Sequence, residues 1–107
     1  MQKQPATTDP IIMPDAWAKQ LIDPPAVSCI CPTYGRVELL QEAIYAFLQQ
    51  DYPGPKELIV LNDYRHQTLV FEHSEVRVIN LPRRFDTIGE KYRAAVRQCT
   101  HDLIFVW

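Results

Sequence analysis

The stretch VSCICPTYGR, Val27 to Arg36, limits what this chain can fold into more than any other. Val27, Cys29, Ile30 and Cys31 form an apolar run that reads as a strand buried on both faces, as in a parallel sheet. Pro32 has no backbone N–H, so it suits the place where strand pairing stops. Gly35 permits a tight turn, and an amphipathic helical pattern follows it. In an open parallel α/β sheet, ligands sit just beyond the carboxyl ends of the strands. Pro32, Thr33, Tyr34 and Arg36 are therefore predicted to face a binding crevice.

The same alternation continues downstream. Val37, Leu40, Ile44, Phe47 and Leu48 fall on one helical stripe, and Tyr52, Pro53, Gly54 and Pro55 end it. Leu58 to Leu61 predicts a second buried strand closing at Asn62 and Asp63, and Val76 to Asn80 a weaker third. Ile88, Tyr92, Ala95, Val96 and Cys99 predict a second helical stripe, before a fourth strand over Leu103 to Trp107. Right-handed crossovers between parallel strands give a Rossmann-like α/β half-sheet of about four strands, in the order 3-2-1-4. Two regions follow: an arm over residues 1–25, with one short helix predicted over Pro14 to Ile22 that packs Trp17, Leu21 and Ile22 on the core, and a βα core over 26–107.

Composition removes several function classes. A net charge of −2 argues against a nucleic-acid partner, which usually meets a basic surface. Three cysteines, an odd number without framework spacing, fit a reducing compartment better than a disulfide scaffold. No secretory signal pattern is visible and no stretch nears the roughly 20 apolar residues of a membrane span. These features together predict a cytoplasmic protein. Cys29 and Cys31 read as core residues, and neither they nor His66 and His73 match a zinc spacing. His101 reads as a turn residue before the last strand. With three glycines in the chain, no dinucleotide fingerprint or P-loop occurs.

Two more loops should converge on the crevice. Asp63, at the carboxyl end of the second strand, can accept hydrogen bonds from a ribose hydroxyl or a base N–H. In RRFDTIGEKYR, Arg83 to Arg93, Thr87 and Glu90 have capping-box spacing and mark a helix start. Gly89 leaves room for a ligand to approach the backbone. Free N–H groups, the helix dipole and Lys91 together favour a diphosphate, with Arg83 and Arg84 as weaker candidates.

The Pro-Thr-Tyr-Gly-Arg turn, Asp63 after an apolar strand, and Ile88-Gly89-x-Lys91 resemble the nucleotide-binding half of the family 2 glycosyltransferases, of GT-A fold. The family's opening run is similar to I-I-I-P-T-Y-N-R. The resemblance departs at Asn62, where the family has a first Asp. It departs at Tyr64 and Arg65, where a small residue and Ser are usual, and at Tyr92 and Arg93, in place of an Arg-Asn pair. It implies transfer of a sugar from a nucleotide-diphosphate donor, UDP-linked, to a hydroxyl of a sugar, lipid or protein acceptor. Pro32, Thr33, Tyr34 and Asp63 would hold the nucleoside, and Lys91 and Arg36 would meet the phosphates. In the family the strand matching Leu103 to Trp107 leads into an Asp-x-Asp cluster that holds Mg2+ or Mn2+, which stabilises the charge of the leaving diphosphate. The resemblance thus places the metal ligands, the acceptor half and the catalytic base beyond Trp107. A chain ending there is expected to be inactive by itself. Two other readings stay open: a nucleotide-binding or interaction module without chemistry, and a nucleotidyltransferase, whose usual Gly-rich basic loop is absent.

Overall fold

Four parallel strands and two helices follow the predicted alternation in the computed structural model, which describes Pro10 and residues 24–107. The elements are β1 (Val27–Thr33), α1 (Val37–Leu48), β2 (Lys56–Asn62), β3 (Val76–Asn80), α2 (Ile88–Arg97) and β4 (Leu103–Val106). The strands lie in the order β3-β2-β1-β4, all neighbours parallel, the Rossmann-like α/β arrangement expected from the sequence. The short helix predicted over Pro14 to Ile22 lies outside the described residues. Among the described residues no helix is long and apolar enough to cross a membrane.

Strand alternation sorts the apolar side chains onto two faces. Cys29, Cys31, Leu58, Val60 and Val76 pack with Leu40, Ile44 and Phe47 of α1. Ile30, Ile59 and Leu61 pack with Ala95 of α2. Both central strands are therefore buried on both sides, which is why they read as continuous apolar runs. Burial of Phe47, 1% exposed, stabilises the α1 face by about 1.5–3 kcal/mol. Burial also pushes the Cys29 and Cys31 thiols up, consistent with inert core residues.

The α2 stripe differs from its prediction. Ile88 and Val96 are exposed, and the buried face runs through Lys91 and Ala95, flanked by Tyr92 and Cys99. An ion pair, described below, lets a lysine take a core position that apolar periodicity assigned to its neighbours.

Pro32 sits where its missing donor does least harm. The Ile30 carbonyl accepts from Trp107 N–H on the β4 side, and Pro32, two residues on, faces the same way. The β1–β4 ladder has already ended at Ile30 and Val106, while pairing with β2 continues through Thr33. Gly54 marks a close approach, since a Cβ there would lie 2.8 Å from the Tyr52 ring and 2.9 Å from the Pro24 carbonyl.

Candidate functional site

Both β1 and β2 end at one edge of the sheet, and the loops that leave them meet the N-terminal turn of α2 there. Gly35 makes the first loop possible: its φ of +68° is the left-handed conformation that favours glycine, with the Tyr64 ring 3.5 Å from where a Cβ would stand. The Thr87 hydroxyl accepts the Glu90 N–H at 3.1 Å and fixes the start of α2 where the sequence placed it. Above Gly89 the space is open, with only the Thr87 hydroxyl, at 3.9 Å, near a would-be Cβ.

At the centre lies a buried ion pair. Lys91 Nζ donates to Asp63 Oδ1 at 2.6 Å and to the Thr33 carbonyl at 2.7 Å. Asp63 Oδ2 accepts the Phe85 N–H at 2.8 Å, and the two side chains are 7% and 2% exposed for Lys91 and Asp63. One lysine thereby joins the end of β1 to the end of β2, and one carboxylate joins β2 to the loop after β3. Burial acts to raise the Asp63 pKa, but the Lys91 and Phe85 hydrogen bonds and the lysine charge outweigh it. The carboxyl is held below the ordinary range.

Over this pair lies an open crevice. A cleft of about 430 Å3 is lined by Pro32, Thr33, Tyr34, Arg36, Arg84 and Lys91, among others. Hollows of about 230 and 190 Å3 adjoin it, and Tyr34 and Arg84 line all three. The Arg84 guanidinium lies 4.1 Å from the Tyr34 ring centroid, a cation–π contact, and Tyr64 packs on Tyr34 at 4.8 Å. Arg36, at the N-cap of α1, makes no side-chain cap bond and is exposed on the cleft.

All six residues singled out in the sequence, Pro32, Thr33, Tyr34, Arg36, Asp63 and Lys91, are brought to this one edge. What the sequence did not reveal is the role of their neighbours. Asn62, a departure from the family pattern, is 1% exposed. Its amide donates to the Gln67 carbonyl at 2.7 Å and to Asn80 Oδ1 at 3.0 Å, while its oxygen accepts the Tyr64 N–H at 3.0 Å. An aspartate has no N–H to give to those two oxygens. Asn62 therefore builds the loop that presents Tyr64 and Arg65, and the paired departures belong to one local structure. Arg84, a weaker candidate in the sequence, is central to the crevice.

Among the described residues no three His, Cys, Asp or Glu side chains stand together in a way that could hold a metal ion. Asp63, the acidic side chain at the centre, is committed to Lys91 and Phe85. The described residues thus do not by themselves form the donor set a divalent cation requires.

A four-stranded parallel sheet with helices on both faces and a crevice over its carboxyl edge defines a Rossmann-like α/β protein. The family model described as glycosyl transferase family 2 matches residues 28–107, and the chain belongs to that family. Membership carries a glycosyltransferase-type function, with a nucleotide-sugar donor and an acceptor. No curated protein and no solved structure gives a significant match.

Proposed function

We propose that the Tyr34 crevice binds the nucleoside diphosphate of a UDP-linked sugar donor, whose sugar passes to an acceptor hydroxyl. The carrying observation is a local excess of positive charge around an aromatic ring. The chain has a net charge of −2, yet four of its seven arginines, Arg36, Arg65, Arg83 and Arg84, line the crevice. Among the described residues none of the four has a carboxylate oxygen within 4.0 Å. A nucleoside diphosphate supplies what this arrangement lacks: an aromatic base and two phosphates that accept from guanidinium forks.

Thr33, Tyr34 and Arg36 border the cleft directly. Lys91 has two of its three ammonium N–H groups bonded among the described residues and lines the cleft, and the first turn of α2 adds its dipole. Fixed donors of this kind favour the leaving diphosphate, which gains negative charge as the glycosidic C–O bond breaks. A divalent cation would add to that stabilisation.

Calorimetric titration of the chain with UDP tests the reading. Saturable binding is expected, weakening as salt rises and falling about tenfold or more in Tyr34→Ala and in Arg84→Ala. A folded chain that takes up no UDP would overturn it.

A further inference from the structure

We infer that Asn62 and Asn80 are positioning residues of the crevice: their two side-chain amides clasp the loop after β2 and so hold Tyr64 against Tyr34. The clasp is read from geometry alone, and its bearing on ligand affinity rests on the nucleotide reading above.

The loop from Asp63 to Leu69 leaves β2 at the crevice and contains a single turn, in which Gln67 N–H donates to the Tyr64 carbonyl at 3.1 Å. Its two ends are tied by asparagines that stand opposite each other in the β2–β3 register. Asn62, 1% exposed, accepts the Tyr64 N–H at 3.0 Å and donates to the Gln67 carbonyl at 2.7 Å. Asn80 accepts the Leu69 N–H at 3.0 Å and donates to the Leu69 carbonyl at 2.8 Å. A fifth bond, from Asn62 Nδ2 to Asn80 Oδ1 at 3.0 Å, joins the two side chains.

Neither amide can turn over. Turning Asn80 would set its oxygen against the Leu69 carbonyl and its NH2 group against the Leu69 N–H. Turning Asn62 would do the same at Gln67 and Tyr64. Each side chain must therefore supply a donor and an acceptor, which an amide does and a carboxylate does not. Such a network has one arrangement, and losing one member leaves buried groups of the others without partners.

What the clasp holds is an aromatic contact between two strands' loops. The Tyr64 ring lies 4.8 Å from the Tyr34 ring and 3.5 Å from where a Cβ on Gly35 would stand. Tyr34 lines the cleft and both adjoining hollows, and Tyr64 lines one of them. Neither asparagine is among the residues that line these three spaces. They act on the crevice through Tyr64.

The test joins calorimetry with UDP to NMR of the Tyr64 and Leu69 amides and of the Tyr34–Tyr64 ring contact, at a temperature where every variant is folded. In Asn80→Ala the Leu69 N–H should lose exchange protection, the ring contact should weaken, and UDP should bind about tenfold more weakly. Asn62→Asp keeps the shape but sets a carboxylate against the Gln67 and Asn80 oxygens. A buried carboxyl so placed takes up a proton above the ordinary value of about 3.9, and the protonated acid regains one donor. Its loss of ring contact and affinity relative to the parent should therefore be larger at about pH 7.5 than at about pH 5. Asp63 and His66 are common to both chains, so the ratio of variant to parent isolates the new carboxyl. A loss of equal size at both pH values overturns the donor role of Asn62. If Asn62→Asp does not fold, Asn80→Ala, at an exposed position, decides the matter alone. Ring contact and UDP affinity that match the parent, with only the thermal midpoint lowered, overturn the positioning role and leave the nucleotide reading standing. So does a lost ring contact with affinity kept. A folded parent that binds no UDP removes the nucleotide reading, and the ring contact then decides the clasp by itself.

Discussion

Glu57 and Asp63 stand near opposite ends of β2, and both carboxyls are held below the ordinary carboxylate range. At the amino end, burial acts to raise the Glu57 pKa, but bonds from Ser28 and Thr100 more than offset it. Glu57 Oε2 accepts from Ser28 Oγ at 2.5 Å and from Thr100 N–H at 2.6 Å, and Oε1 accepts from Thr100 Oγ1 at 3.0 Å. Ser28 Oγ in turn accepts the His101 N–H at 3.1 Å, so His101 is the turn residue the sequence indicated. Every donor there is neutral and closes the turn between α2 and β4. At the carboxyl end the donor is a buried ammonium, and the crevice over it is lined by four arginines that have no carboxylate partner among the described residues. A depressed carboxylate therefore does not distinguish a site from a structural joint. Unmatched charge beside an open cleft does.

The comparison is broken most sharply by removing the Asp63 charge. Asp63→Asn leaves Lys91 buried without its counter-ion, which costs about 3–5 kcal/mol. Urea unfolding should show a correspondingly lower midpoint. Because much of that cost is the stranded ammonium, adding Lys91→Met should recover part of it, whereas independent sites would give additive losses.

Acid titration gives the next effect. The folded Asp63 carboxyl titrates below its unfolded value of about 3.9, so the folded state binds fewer protons there than the unfolded state. Its contribution is present above that pH and is lost as the pH falls through the lower folded value. Glu57 acts in the same sense from an unfolded value of about 4.3, screened by its partial exposure. Stability followed from pH 7 to pH 2 should fall over this window, and the fall should be shallower in Asp63→Asn. A fall of unchanged slope in that variant would place the acid sensitivity elsewhere.

The sheet was legible because its information is local. Short apolar runs gave β1, β2 and β4, a weaker alternation gave β3, and Gly35 and the Pro-rich break after α1 gave the turns. Thr87 gave the start of α2 for the same reason, since a cap reaches only three residues along the chain. The position of Asp63 and of Lys91 was legible too. Their pairing was not, because it joins residues 28 apart through the fold, and locally Lys91 reads as a phosphate ligand and Asp63 as a nucleoside ligand. The same gap hid Asn62 and Asn80, which hold the Tyr64 loop across two strands and read locally as strand-ending polar residues.

Glu57→Gln sharpens the comparison from the other side. An amide keeps one acceptor oxygen and turns the other position into a donor that faces Ser28 Oγ or Thr100, so part of the network loses its partner. Partial exposure lets water replace some of what is lost, and the expected cost is about 1–2 kcal/mol. The turn into β4 loosens, while the crevice, at the far end of β2, keeps its ion pair and its arginines. UDP affinity should then match the parent within about twofold at a temperature where both chains are folded. If affinity falls as far as it does in Arg84→Ala, the two ends are coupled through β2 and the amino-end carboxylate belongs to the site after all.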